Sequence, residues 1–123
     1  QVATVDLPAD YASPARARSL VMDVLAGWGL HSIVDAATLL VSELVTNGVR
    51  HAGTGLRVTL TRLADNRVRV AVTDRAPNVA VRVRQSGEDS EGGRGLFLVE
   101  HLSTGWGSVA DGEGKTVWFE LKA

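Results

Sequence analysis

Residues Leu39 to Gly53 read LLVSELVTNGVRHAG, and their periodicity decides the architecture. With Ile33 at zero and 100° per residue, Ala37, Leu40, Val41, Leu44 and Gly48 fall within roughly −20° to +80°, one apolar stripe of a helix. Glu43 and Asn47 lie beside that stripe at roughly −80° and −40°. His51 follows one turn later, so three polar side chains stand at i, i+4 and i+8. Burying such groups unpaired costs about 1–3 kcal/mol each. Two readings meet that constraint. In one, the ladder lines a pocket where the carboxylate acts as general base and the amide oxygen is a hard ligand for Mg²⁺. In the other it is a solvated helix edge, with Glu43 paired to a surface arginine. Spacing alone favours the solvated edge.

Working outward, this helix starts at Ser32, with Asp35 three residues on as a weak capping box, and closes at His51-Ala52-Gly53. Before it, Val2 to Leu7 is β-prone. Ser13-Pro14 reads as an N-cap followed by proline at the first helical position. Leu20, Val21, Val24, Leu25 and Trp28 then predict an amphipathic helix from about Pro14 to Ala26, ended by Gly27 and Gly29. After it, Leu56 to Leu63 and Arg67 to Thr73 are strands joined by Ala64-Asp65-Asn66, a hairpin signal. Val79 to Arg84 alternates and reads as a short strand or an edge. Gln85 to Gly93 reads as a mobile loop by composition. Leu96 to Leu102 is a short helix, and Trp106 to Ala110 and Thr116 to Leu121 are the last strands, turned by Asp111-Gly112-Glu113-Gly114. Adjacent strands with helices between them predict an α+β two-layer sandwich, a mixed, mainly antiparallel sheet covered by helices on one face.

The bulk properties narrow the function. The chain has 123 residues, enough for one domain and one core. A net charge of −1 without a basic run argues against binding nucleic acid through its backbone. No cysteine is present, so disulfides and thiolate metal sites are excluded, and a reducing cytosol is compatible. With three scattered histidines and no cysteine, a zinc site is not expected. No apolar run reaches the roughly 20 residues of a membrane helix, and no signal peptide is visible. The start at Gln1 rather than Met reads as a domain excised from a larger protein.

Three further features carry candidate chemistry. Gly92-Gly93-Arg94-Gly95-Leu96 runs from a polar loop into an apolar helix. Glycines admit close backbone approach and a helix N-terminus offers N–H groups to phosphate, although a plain flexible turn fits as well. It matches neither a P-loop nor a dinucleotide-binding fingerprint. Asp74, ending a strand, is suited to bind an exocyclic amine such as that of adenine, or to start a turn. Thr116 either donates to the same ligand or is an ordinary β-branched strand residue. No Gly-x-Ser-x-Gly elbow exists, which argues against a serine hydrolase.

Together these stretches resemble one family. LLVSELVTNGVRHAG is similar to the N-box of the GHKL ATPase superfamily, closest to the bacterial anti-sigma-factor serine kinases. GGRGLFLVEHL (Gly92 to Leu102) looks like its second glycine box, and GKTVWFEL (Gly114 to Leu121) like its terminal strand. The resemblance covers nearly the whole chain, with Glu43, Asn47, Asp74, the glycine turn and Thr116 in family order. It implies a single Bergerat-type, histidine kinase-like ATPase domain over residues 1–123, binding ATP between the helices and a lid at about Gln85 to Gly92. It further implies that Asn47 coordinates the Mg²⁺ on the phosphates and Glu43 is the general base. Asp74 binds the adenine amine with Thr116 in support, and Gly93, Arg94, Gly95 and Leu96 close on the phosphates. The implied partners are a sigma factor and an anti-anti-sigma (STAS-type) protein whose serine is phosphorylated. Such kinases are cytoplasmic and often dimerise.

The sequence departs from the family in its first glycine box, usually Asp-x-Gly-x-Gly and here Asp74-Arg75-Ala76-Pro77-Asn78. If the first glycine position needs positive φ, Ala76 is strained by about 1 kcal/mol or more. That departure keeps open a weakly or non-catalytic nucleotide-binding switch cut from a larger phosphatase or sensor protein. A sensor histidine kinase domain is the third reading. Gly48, inside the second helix, costs about 1 kcal/mol relative to alanine, which a close helix–sheet contact would explain.

Overall fold

A computed structural model describes residues 1–75, 97–111 and 114–123. The elements run β1 (Val2–Leu7), α1 (Ser13–Gly27), a 3-10 turn (His31–Ile33), α2 (Val34–His51), β2 (Leu56–Arg62) and β3 (Arg67–Asp74). A helical segment over 97–102 (α3), β4 (Gly105–Asp111) and β5 (Gly114–Lys122) complete the chain. The five strands form one sheet in the order β1-β2-β3-β5-β4, each neighbouring pair antiparallel. The expected strand at Val79 to Arg84, the loop from Gln85 and the glycine turn lie outside the described residues.

Alternation sets the two faces of the sheet. Leu56, Val58 and Leu60 of β2, Val68, Val70 and Val72 of β3, and Phe119 and Leu121 of β5 are buried. They meet Ala17, Val21 and Leu25 of α1 and Ala37, Leu40, Val41, Leu44 and Val45 of α2 in one core. Val99 of α3 belongs to the same core. The opposite face is polar: Arg69 lies 4.4 Å from the centre of the Trp118 ring and donates to Glu120 at 2.8 Å. Trp118 covers Gly107, where an added Cβ would come within 2.8 Å of the ring.

Local details follow the chain's chemistry, with two corrections. Ser13 does not cap α1: it is helical and fully buried, and its hydroxyl donates to the Pro8 carbonyl at 2.7 Å. Pro14 still occupies the first turn. Ser32 likewise makes no capping bond; it lies inside the 3-10 turn that precedes α2. The two glycine stops hold: Gly29 (φ 75°) and Gly53 (φ 66°) take the left-handed conformation just past α1 and α2. Asp65 and Asn66 both have positive φ, and Arg67 N–H donates to the Ala64 carbonyl, which makes the β2–β3 connection a type I′ turn. The segment His31–His51 has the length and apolar composition of a membrane span, with a mean hydropathy of 1.2. In the fold its stripe of Ala37, Leu40, Val41 and Leu44 packs into the core instead.

Candidate nucleotide-binding site

The site is built where the C-terminal half of α2 packs on β2 and β3, with β5 beside β3. Gly48 fixes the approach. A Cβ there would stand 2.7 Å from Leu56 Cδ2, so a larger residue would have to displace the Leu56 side chain from its seat against α2. Leu56 is the register partner of Asp74 across β2 and β3. Asn47, next to Gly48 in α2, is thereby carried to the end of the sheet that holds Asp74. A second tie follows from the loop after α2, where Thr54 Oγ1 accepts the Arg75 N–H at 3.0 Å.

Glu43 and Asn47 are both half-buried, one turn apart on the edge of α2, with Leu44 and Gly48 buried beside them. His51 departs from the expected ladder. It is the last residue of α2 and exposed, because the helix has there run past the rim of the core.

Asp74 ends β3 and points to the helix-covered face, in the alternation of Val68, Val70 and Val72. It is one of few buried charged residues among those described, at 4% exposure. Its Oδ1 accepts the backbone N–H of Lys115 at 3.3 Å, and its Oδ2 lies 4.0 Å from Lys115 Nζ. β5 comes this close because residue 114 is glycine: a Cβ there would sit 2.0 Å from the Asp74 carbonyl oxygen.

Thr116 is not brought to Asp74. It pairs with Thr73 across β3 and β5, their hydroxyls 2.9 Å apart, on the opposite face of the sheet. The residue facing Asp74 is Lys115, which the sequence reasoning missed. The signal was present: Val117, Phe119 and Leu121 mark the odd positions of β5 as inward, so Lys115 is inward too, and a one-residue shift changes the face. Gly93, Arg94, Gly95 and Leu96 lie outside the described residues, as do Ala76, Pro77 and Asn78.

A separate groove of about 320 Å³ lies at the same end of the sheet, lined by Asp6, Leu7, Gly55, Leu56, Arg57, Thr73 and Arg75. It includes neither Glu43 nor Asn47, and its polar lining is largely already paired. Arg57 donates to Asp6 at 2.8 Å. That hydrogen bond, opposed by slight desolvation and helped by the charges of Arg57 and Arg75, holds the Asp6 carboxyl below its ordinary value.

The histidine kinase-like ATPase domain family matches residues 7–121, nearly the whole chain. The chain belongs to that family. It is therefore a GHKL-type domain, a family of ATP-binding regulatory domains, with the Bergerat sandwich described above. The RsbU and RsbW domains of Rv1364c from Mycobacterium tuberculosis superpose with a TM-score of 0.76 at 23% identity, over 99% of this chain and 32% of that one. The GHKL domain thus spans about a third of that chain. The histidine kinase domain of a blue-light activated histidine kinase from Erythrobacter litoralis superposes with a TM-score of 0.61 at 20% identity, covering 97% of this chain and 67% of that one. No curated protein sequence matches significantly.

Proposed function

We propose that this GHKL domain binds Mg-ATP and acts as an anti-sigma-factor-type protein serine kinase, regulating transcription by partner switching. One observation carries the reading. Glu43 and Asn47 stand one turn apart on the half-buried edge of α2, and Gly48 seats that edge over Leu56, the register partner of buried Asp74. A solvated helix edge needs no such seating. The likeness to a solved structure with RsbW domains supports the serine-kinase branch, and the histidine kinase neighbour shares the fold.

In this reading Asp74 accepts hydrogen bonds from the adenine amine. Asn47 holds Mg²⁺ through its amide oxygen. The donor set fits that ion: Mg²⁺ takes one or two protein oxygens and completes its shell with phosphates and water. Among the described residues no cluster of three or more His, Asp or Glu is arranged as an all-protein cage. When bound, the ion neutralises charge on the phosphate oxygens. Glu43 takes the proton from the attacking serine hydroxyl. The serine oxygen bonds to the γ-phosphorus as the bond to the bridging oxygen breaks, leaving phosphoserine and ADP. Gly93, Arg94, Gly95 and Leu96 are assigned to the phosphates by resemblance. The serine belongs to a STAS-type partner, a sigma factor is the other partner, and the setting is cytoplasmic.

The test is phosphoryl transfer from γ-labelled ATP to STAS-type proteins, in parallel with ATP titrations. Glu43→Ala is expected to abolish transfer and spare ATP binding, whereas Asn47→Ala weakens Mg-ATP binding itself. Equal loss of binding in both variants contradicts the separate roles. A second reading, a nucleotide-responsive switch without transfer, is favoured by Ala76 and Asn78 where the family has glycines. It expects binding with no phosphoserine in any partner.

A further inference from the structure

Asp74 alone does not define a base-reading edge. A carboxylate only accepts hydrogen bonds, so it selects for an amine and is indifferent to the atom beside it. Here the neighbouring strand supplies a second group. Lys115 enters from β5 on the same face, with its side chain one-quarter exposed and its ammonium 4.0 Å from Asp74 Oδ2. That separation exceeds direct hydrogen-bond reach, so the carboxylate does not draw the ammonium into a short bond. The placement is built, not incidental. Gly114 admits β5 against the Asp74 backbone, the Lys115 N–H donates to Asp74 Oδ1, and the Thr73–Thr116 hydroxyl pair fastens the strands on the far face.

Adenine's Watson–Crick edge carries the exocyclic amine, a donor, next to N1, an acceptor. A carboxylate and an ammonium side by side are its complement. We infer that Lys115 is a specificity-determining residue of the nucleotide site, donating to N1 of adenine while Asp74 accepts from the amine. The inference rests on the assignment of Asp74 to the base. It adds what that assignment lacks: discrimination at the ring nitrogen. A 6-oxo purine, with an acceptor at position 6 and a donor at N1, meets the pair with both polarities reversed.

The experiment removes the interaction from each side in turn. The intact chain and Lys115→Met are titrated calorimetrically with ATP, 1-deaza-ATP (which lacks only the ring acceptor) and inosine triphosphate. For the intact chain, ATP is expected to bind about tenfold or more tighter than 1-deaza-ATP, the scale of one hydrogen bond to a charged group. Inosine triphosphate should bind more weakly still. Lys115→Met should bind ATP about as weakly as the intact chain binds 1-deaza-ATP and should no longer distinguish the two. Equal binding of ATP and 1-deaza-ATP by the intact chain overturns the inference without any variant, and leaves Asp74 as the base reader. Persistence of the preference in Lys115→Met overturns it as well. If no nucleotide binds the intact chain, the base-site assignment falls and the inference with it.

Discussion

Replacing Gly114 with alanine directs a methyl group at a carbonyl that cannot move aside. The added Cβ would stand 2.0 Å from the Asp74 oxygen and 2.9 Å from both the Asp74 carbonyl carbon and Arg75 Cα. Ordinary contact begins at 3.4 Å, so the two strands must part by more than 1 Å at this point. All three atoms belong to backbone, and no rotamer change absorbs the overlap. The residue also has φ 155°, a conformation that side chains disfavour. Overpacking of this kind costs about 1–3 kcal/mol, and an unfavourable backbone conformation adds about 1–3 kcal/mol. For a domain of this size about 1 kcal/mol corresponds to roughly 3–5 °C in Tm, so the combined cost of about 2–6 kcal/mol predicts a fall of roughly 6–30 °C. Thermal unfolding followed by circular dichroism reads it, and ATP affinity should fall too, because Lys115 moves with the strand. Gly105→Ala is the control, since nothing lies within 4 Å of a Cβ there. A Gly114→Ala protein as stable as Gly105→Ala would refute the claim that β5 is pinned against Asp74.

Two further predictions concern the scaffold. Gly48→Ala gains about 1 kcal/mol of helix propensity but drives a methyl into Leu56, which is only 2% exposed. Overpacking costs about 1–3 kcal/mol, so a net loss in urea denaturation is expected, and a stabilised variant would disprove the close seating of α2. The Asp6–Arg57 pair sets a pH signature. Asp6 is held below its ordinary 3.8 by Arg57, so its contribution is complete above that pH and fades as the pH drops through the lowered value. Asp6→Asn should therefore narrow the stability gap to the intact chain in acid, by a small amount because the pair is exposed. A gap that widens in acid contradicts the sign.

Much of the fold was legible because burial writes period into sequence. The stripe from Ala37 to Gly48 gave α2 and, with it, the edge bearing Glu43 and Asn47. Ala64-Asp65-Asn66 gave the hairpin, since residues that tolerate positive φ are what its turn requires. Gly48 announced a close contact, but not with which strand; Leu56 is local to no pattern in α2. The two misreadings have different causes. Ser13 has the composition of a cap, yet its hydroxyl is bound by Pro8, a tertiary preference invisible to local rules. For Thr116, the alternation of Val117, Phe119 and Leu121 places the side chain on the polar face, away from Asp74. Strand parity, read first, identifies Lys115.

The central claim is that α2 and Asp74 together form a nucleotide site. Calorimetric titration with ATP, with and without Mg²⁺, on the intact chain and on Asn47→Ala tests it most directly. Binding that requires Mg²⁺ and is lost in Asn47→Ala is the predicted result. An intact chain that shows no heat of binding up to millimolar ATP, while remaining folded, would contradict it.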